Sequence, residues 1–274
     1  MVKHFAVIGC PIAHSLSPVM HNAGYKALDL AADYQKFQVS PEDLGEAVLG
    51  LKALGFSGWN VTVPHKEAIL PFLDELTEEA RRAGAVNTVK VHKGRLIGHN
   101  TDGSGFVRSL QEHMELGEGK KIVLLGAGGA AKGIAMALAP FGVQLCIMNR
   151  TPERGAELLE KIREWGGQAR QEVWGRGEWL TQADCVIQTT SLGLKKEDYP
   201  FSLEGIHPGT LVVDIIFNPW ETPFLQSAKV LGCKIVNGMD MLLYQGVNAW
   251  EFWLEDKAPV DAMRKALYQA LAQV

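Results

Sequence analysis

One stretch in the second half of the chain constrains its fold more than any other. Residues 121–125 (KIVLL) form a continuous apolar run, which is typical of a strand in a sheet covered on both faces. A glycine-rich turn, residues 126–131 (GAGGAA), follows directly, and residues 143–148 form a second strand pattern. Apolar residues at helical spacing lie between them: Ala131, Ile134, Ala135 and Leu138. This order predicts a βαβ unit whose first connection is rich in glycine.

The turn has the spacing of a dinucleotide-binding site. Gly126 allows the tight turn, Gly128 lets the backbone approach a pyrophosphate, and Ala131 permits close packing of helix on strand. The helix N-terminus favours an anion through its unpaired N–H groups and its dipole. A glycine-rich turn without a ligand is the alternative, which the strand–turn–helix context disfavours. We predict cofactor contacts along the turn: Gly126, Ala127, Gly128, Gly129 and Ala130.

The residues after the second strand indicate which nicotinamide cofactor is used. An acid there would bind the ribose 2′-hydroxyl of NAD. The chain instead has Asn149, Arg150, Thr151 and Arg154. The two arginines could hold a 2′-phosphate in bidentate fashion, with Asn149 and Thr151 adding hydrogen bonds. For Arg154, a solvent-facing position one turn into the next helix is the alternative. The pattern predicts NADP.

Strand and helix patterns alternate along all 274 residues, which predicts a parallel α/β architecture. The length suits two domains or one large one. A polar, glycine-containing break at residues 115–120 (ELGEGK) is the best candidate for a domain boundary. The C-terminal part is predicted to be helical over residues 240–254 and 260–273.

Charge and composition exclude several classes of protein. With 27 Lys+Arg against 31 Asp+Glu, the net charge of −4 gives no electrostatic footprint for nucleic acid or an anionic membrane. No apolar run approaches the roughly 18 residues that a membrane helix needs. The 4 cysteines show no C-x-x-C spacing, which indicates free thiols in a reducing cytoplasm. The 8 histidines form no metal-binding motif, so no metal site is predicted.

Residues 60–66 (NVTVPHK) carry the groups that point to catalysis. Two valines alternate with Asn60 and Thr62, as in a half-buried strand, and Pro64 should end that strand because proline cannot donate to a sheet ladder. An amide, a hydroxyl and the Lys66 ammonium would then lie close together. Such a set suits a polyhydroxylated molecule on which a proton moves. The alternative is an edge strand that leads to a solvated lysine.

Five separated motifs in this order resemble the shikimate dehydrogenase family. They are residues 15–18 (SLSP), 60–66, 84–88 (GAVNT), 100–103 (NTDG) and 238–242 (GMDML) with Gln245. The resemblance implies an NADP-dependent enzyme that reversibly reduces 3-dehydroshikimate to shikimate in aromatic amino-acid biosynthesis. It also implies an α/β substrate domain, residues 1–102 completed by the returning C-terminal helices 238–274, and a Rossmann-type NADP domain, residues 103–237.

The resemblance assigns roles to single residues. Lys66 is implied to be the general acid of the reduction, and Asp102 to orient its ammonium. Ser15 and Ser17 match the pair that binds the substrate carboxylate, although Ser15 alone could be an ordinary helix cap. Ring hydroxyls are expected to be bound by Asn60, Thr62, Asn87 and Gln245. Contacts on the nicotinamide side are expected from Thr189, Ser191, Ile215, Gly238 and Met241.

One residue departs from the family pattern. Phe217 stands where the family usually has a tyrosine whose hydroxyl reaches the substrate carboxylate. Losing a hydrogen bond to a charged group costs roughly 1.5–3 kcal/mol if nothing replaces it. Weak substrate affinity, or a somewhat different acid, therefore stays open.

The substitution Phe217→Tyr tests this departure. It is expected to lower the KM for shikimate by roughly two- to twelvefold, corresponding to a net gain of about 0.5–1.5 kcal/mol. Steady-state kinetics measure the effect, and an analogue without the carboxylate should show none. Unchanged or weaker binding by the folded variant would mean that Ser15 and Ser17 hold the carboxylate alone, or that the substrate differs.

Two other functions fit the same motifs less well. A quinate/shikimate dehydrogenase with broader substrate and cofactor use is disfavoured by Arg150 and by the missing acid near position 149. A non-catalytic NADPH-sensing relative is disfavoured because a sensor would not need both Lys66 and Asp102. We expect the protein to be cytoplasmic, to be a monomer or homodimer, and to act on a small molecule.

Overall fold

The computed structural model describes residues 2–175, 178–194 and 201–272. It divides into two compact units: unit 1, Met1–Gly105 with Leu243–Val274, and unit 2, Phe106–Leu242. The division falls inside two helices, α5 (Asp102–Gln111) and α10 (Met239–Leu254). In the described chain, none of the helices combines the length and the apolar character needed to cross a bilayer.

Unit 1 contains a six-stranded mixed sheet with the strand order β2-β1-β3-β5-β6-β4. Its strands are β1 (Lys3–Gly9), β2 (Ala32–Gln38), β3 (Gly58–Val61), β4 (Glu75–Leu76), β5 (Thr88–His92) and β6 (Arg95–His99). Its helices, besides parts of α5 and α10, are α1 (Ser17–Ala27), α2 (Leu44–Ala53), α3 (His65–Ala68), α4 (Glu78–Ala83) and α11 (Val260–Leu271).

The predicted parallel α/β architecture holds for only part of the sheet of unit 1. β1 pairs in parallel with β2 and β3, but β5 runs antiparallel to both β3 and β6. Lys93 and Gly94, with φ angles of 50° and 75°, form the two-residue turn between β5 and β6. Two successive residues with positive φ produce the tight hairpin that reverses the chain here.

Unit 1 buries both faces of its central strands. On one face, residues of β1 and β3 such as Ile8 and Val61 pack with Leu44, Val48 and Leu51 of α2. Elsewhere in the unit, buried aromatic rings pack together: Phe5, His21, Tyr25, Tyr34, Trp250 and Trp253. All four residues of β3 are buried, including Asn60, its one polar side chain.

Unit 2 is an all-parallel sheet with the strand order β12-β11-β10-β7-β8-β9. In β7, Ile122 and Leu124 enter one apolar cluster while Val123 and Leu125 enter another, so both faces are covered as the apolar run predicted. The strands are β7 (Lys121–Leu125), β8 (Gln144–Met148), β9 (Gln168–Glu172), β10 (Cys185–Gln188), β11 (Leu211–Asp214) and β12 (Lys234–Val236). The helices are α6 (Gly129–Leu138), α7 (Pro152–Glu164), α8 (Glu178–Gln182) and α9 (Pro223–Val230).

Candidate active site

Lys66 and Asp102, the two predicted catalytic residues, form an ion pair in unit 1. Lys66 lies on α3, which begins soon after β3 ends, and Asp102 is the first residue of α5. The Lys66 ammonium donates to Asp102 Oδ2 at 2.6 Å, and the two side chains are 32% and 24% exposed. The pair is therefore sheltered but accessible to a ligand. An ammonium held by a carboxylate in this way can give a proton to, or take one from, a bound hydroxyl.

Asp102 is held from several sides. Asn87 Nδ2 donates to Asp102 Oδ1 at 2.8 Å, and the Asp102 backbone N–H donates to Asn100 Oδ1 at 3.1 Å. Asn100 is tied in turn to the Ala85 carbonyl at 3.0 Å. Because each oxygen of the carboxylate has a protein donor, its orientation toward Lys66 is fixed before any ligand arrives.

Asn87 is more fully bonded than a simple substrate ligand would be. It is 2% exposed, and its second N–H donates to Thr101 Oγ1 at 2.9 Å. Its Oδ1 accepts from the Thr101 N–H at 2.9 Å and from the Thr88 hydroxyl at 3.0 Å. Sequence reasoning missed Thr88 and Thr101, although both lie inside motifs that it had singled out. Asn87 in this structure positions Asp102.

The other predicted substrate residues also belong to unit 1, except Phe217, which belongs to unit 2. Ser17 is buried at the start of α1, and its N–H donates to the half-buried Ser15 Oγ at 3.4 Å, a long contact within the turn that precedes the helix. Thr62 is half-buried directly after β3. Gln245 is half-buried on α10, where a Cβ at Gly105 would lie 2.5 Å from its backbone nitrogen. Glycine at position 105 thus lets the start of α5 approach α10.

The glycine-rich turn of unit 2 is the predicted pyrophosphate site. Gly126 has φ of 111°, a conformation that favours glycine, and a side chain there would meet Thr189 Oγ1 at 2.7 Å. Among the described residues, none caps α6 through a side chain at Gly128, and a Cβ at Gly128 or Gly129 would meet no atom within 4 Å. The exposed helix N-terminus is therefore open to an anion. Ala127 and Ala130, which complete the predicted set, are half-buried in the same turn.

The predicted 2′-phosphate residues lie at the end of β8. Asn149 and Arg150 line an open depression of about 790 Å³, together with Pro152 and residues 171–174. Arg150 is exposed, and Asn149 Nδ2 donates to the Thr151 carbonyl at 2.7 Å, which shapes the turn. Thr151 and Arg154 are exposed at the beginning of α7. An exposed guanidinium beside such a depression fits a phosphorylated ribose.

The residues predicted for the nicotinamide side follow the ends of three strands, β10, β11 and β12. Thr189 is buried and donates to the Leu125 carbonyl at 2.7 Å, whereas Ser191 is exposed. Ile215 and Phe217 are half-buried after β11, and Met241 is half-buried on α10. A side chain at Gly238 would overlap the Ile215 carbonyl, so this close approach requires glycine.

Sequence reasoning missed the group that holds the segment after β11. Asp214 is fully buried and accepts from the Thr222 hydroxyl at 2.6 Å, the Ile216 N–H at 3.0 Å and Gln188 Nε2 at 3.4 Å. Burial raises the pKa of Asp214 to about 6, although the bonds from Thr222, Ile216 and Gln188 oppose the shift. The carboxyl group fixes the backbone that carries Ile215 and Phe217.

The raised pKa of Asp214 predicts a pH dependence of stability. The folded protein binds this proton more tightly than the unfolded chain, in which the pKa of the carboxyl group is 3.8. The contribution of protonated Asp214 to the free energy of unfolding is therefore fully present below about pH 4 and is lost as pH rises toward about 6. The free energy of unfolding of wild type, minus that of Asp214→Asn, should fall by on the order of 3 kcal/mol between those limits. Denaturant titrations across this range measure it, and a constant difference would contradict the assignment.

Unit 2 also holds a small group of metal-ligand types, outside the predicted sites. Glu112, His113 and Asp240 each place one such atom within 4.8 Å of the others, with His113 Nε2 3.8 Å from Asp240 Oδ2. Glu112 and His113 are exposed. Such groups are common on protein surfaces without an ion, so the cluster alone defines no metal site.

Comparisons with known proteins agree with this geometry. Residues 7–89 match the family model of the shikimate dehydrogenase substrate binding domain. Residues 109–200 match the model named shikimate / quinate 5-dehydrogenase, and residues 238–268 match the shikimate 5′-dehydrogenase C-terminal domain. The three matches together cover most of the chain.

Individual relatives extend over nearly the whole length. A shikimate dehydrogenase (NADP(+)) of Desulfitobacterium hafniense strain Y51 is 89% identical over 272 residues, covering 99% of this chain and 100% of the relative. Among solved structures, ligand-free 5-ketofructose reductase of Gluconobacter sp. strain CHM43 has a TM-score of 0.90 at 36% identity, covering 98% and 99% of the two chains. Shikimate 5-dehydrogenase from Thermus thermophilus, in complex with NADP(H) and shikimate, has a TM-score of 0.87 at 35% identity, covering 98% and 100%.

The fold and the two sets of site residues define an α/β oxidoreductase with a Rossmann-type unit. Within that class, the chain belongs to the shikimate dehydrogenase family.

Proposed function

We propose that this chain catalyses the reversible NADPH-dependent reduction of 3-dehydroshikimate to shikimate. The observation that carries the proposal is the Lys66–Asp102 pair, whose 2.6 Å contact is sheltered yet partly exposed. The relative that is 89% identical, named shikimate dehydrogenase (NADP(+)), supports both the substrate and the cofactor. The proposed place in metabolism is aromatic amino-acid biosynthesis.

The chain's own residues supply the proton and the orientation. Lys66 gives its proton to the carbonyl oxygen during reduction and takes it back from the hydroxyl in the reverse direction. Asp102 holds the ammonium in place, and Asn87 holds Asp102. The chemistry that NADPH supplies when bound is hydride transfer to the ring carbonyl carbon. The reaction balances as 3-dehydroshikimate, NADPH and a proton giving shikimate and NADP.

Substrate and cofactor are held by the residues already assigned. Ser15 and Ser17 bind the substrate carboxylate, and Thr62 and Gln245 contact ring hydroxyls. The turn Gly126–Ala130 binds the pyrophosphate of NADP, and Arg150 with its neighbours binds the 2′-phosphate. The open backbone at Gly128 and Gly129 and the exposed guanidinium support these roles.

A cytoplasmic setting is part of the proposal. The four cysteines are free: Cys10, Cys146, Cys185 and Cys233. Burial raises the pKa of the Cys185 thiol and of the Cys146 thiol, the latter to about 12, which keeps both protonated and unreactive. Such thiols suit a reducing compartment.

A second substrate class has support from two observations. The structural neighbour at TM-score 0.90 is a 5-ketofructose reductase, and Phe217 departs from the usual family residue. Initial rates with shikimate and quinate in the oxidising direction, and with 5-ketofructose in the reducing direction, distinguish the candidates. The proposal expects the highest kcat/KM with shikimate. A higher value with either alternative would replace it.

A further inference from the structure

Tyr34 is a buried tyrosine that sequence reasoning did not single out. It lies on β2, is 1% exposed, and stacks flat against His21 with ring centroids 4.4 Å apart. Its hydroxyl donates to Asn60 Oδ1 at 2.6 Å. Burial, with a smaller contribution from Tyr25, raises the pKa of Tyr34 well above its ordinary value, and a hydrogen bond with Ser17 opposes this. The hydroxyl therefore stays protonated and remains a donor.

The Asn87 carbonyl can only accept, so it fixes which way the Asn60 amide faces, and the Tyr34 hydroxyl then holds the amide oxygen. Both N–H groups of Asn60 are used inside the protein, one toward the Asn87 carbonyl at 3.1 Å and one toward Thr88 Oγ1 at 3.0 Å. A flipped amide would place its oxygen against the oxygen of the Asn87 carbonyl, which has no proton to donate, so that hydrogen bond would be lost. Asn60 thus has one remaining capacity, the second lone pair of Oδ1.

We infer that Tyr34 is a positioning residue that holds Asn60 as a hydrogen-bond acceptor, so that the site selects a substrate hydroxyl at the ring position facing Asn60. This inference rests on the proposed function. A carbonyl oxygen has no proton to donate, so Asn60 must face a hydroxyl that persists through the reaction. The oxygen that becomes a carbonyl must instead face a donor, and Lys66 is that donor.

Tyr25 provides a matched control for Tyr34. It is 2% exposed and lies in the same group of aromatic rings, with its centroid 4.7 Å from that of Trp250. Its hydroxyl is buried and has no hydrogen-bond partner among the described residues, whereas that of Tyr34 is bonded to Asn60. The substitutions Tyr34→Phe and Tyr25→Phe therefore remove the same atom from the same kind of surroundings. They differ in that Tyr34→Phe also removes the donor to Asn60 and the hydrogen bond with Ser17, and an effect through Ser17 would be the same for every ring-hydroxyl analogue.

The test compares both variants with wild type in steady-state kinetics and thermal unfolding. Tyr34→Phe should raise the KM for shikimate by about 5- to 10-fold, as expected for losing one hydrogen bond, and leave the KM for NADP within about twofold. Tyr25→Phe should leave both constants unchanged. A Tyr34→Phe protein with a lowered Tm and an unaltered KM for shikimate would show a purely structural role and overturn the inference.

Analogues of shikimate that each lack one ring hydroxyl show through which hydroxyl Tyr34 affects binding. The increase in KM caused by Tyr34→Phe should disappear with the analogue that lacks the hydroxyl facing Asn60, and persist with the others. An equal increase with every analogue would also overturn the inference. A different result would contradict the proposed function: wild-type protein that does not oxidise shikimate.

Discussion

Replacing Lys66 with alanine is expected to lower kcat by at least about 100-fold, the low end for removing a general acid or base. The reason is that the Lys66 ammonium is the donor held by Asp102 at 2.6 Å. Shikimate binding should change much less, because the carboxylate and the other hydroxyls keep their partners. Initial rates at saturating shikimate and NADP, together with equilibrium binding of shikimate, separate the two effects.

A lysine remote from this pair serves as the control. Lys52 is exposed near the end of α2 in the same unit, and Lys52→Ala should leave kcat unchanged. Near-normal turnover by a folded Lys66→Ala protein would remove Lys66 from the mechanism. A loss of shikimate binding as large as the loss of kcat would indicate that Lys66 only holds the substrate.

Replacing Arg150 with alanine is expected to weaken NADP binding by about 10- to 100-fold and to leave NAD binding nearly unchanged. Removing charge-assisted hydrogen bonds to a phosphate costs roughly 1.5–3 kcal/mol, and only NADP carries the 2′-phosphate. Arg150 is exposed beside the depression at the end of β8. Titration with 2′,5′-ADP and with 5′-AMP measures the effect without catalysis.

An arginine of the same unit controls for the loss of positive charge. Arg163 is exposed on α7 and pairs with Glu160 at 2.7 Å, so Arg163→Ala should leave both titrations unchanged. If Arg150→Ala weakened 2′,5′-ADP and 5′-AMP equally, Arg150 would have a structural role. The assignment of NADP specificity to this residue would then be lost.

Much of the fold could be predicted because its causes are local in sequence. The apolar run of β7, the glycines after it and the apolar face of α6 each follow from patterns a few residues long. The prediction of an α/β fold with a Rossmann-type unit is confirmed. The antiparallel β5 was missed because strand direction depends on the turn at Lys93 and Gly94, where only one of the two residues is a glycine.

The candidate site was predictable to the extent that its residues stand in short motifs. The pairing of Lys66 with Asp102, 36 positions apart, was expected from the family resemblance, and the structure gives it a distance. The partners of that pair could not be predicted in the same way. Tyr34 and Asp214 act through buried side-chain hydrogen bonds, with Asn60 26 positions away and with Thr222 8 positions away. Neither lies in a pattern that distinguishes it from ordinary strand residues.

Product formation tests the central claim most directly. Purified protein is incubated with 3-dehydroshikimate and NADPH, and consumed NADPH is compared with shikimate quantified by NMR. The account predicts one shikimate for each NADPH consumed, with a kcat/KM well above that for NADH or for 3-dehydroquinate. Failure to consume NADPH with 3-dehydroshikimate, or faster reaction with NADH, would contradict it.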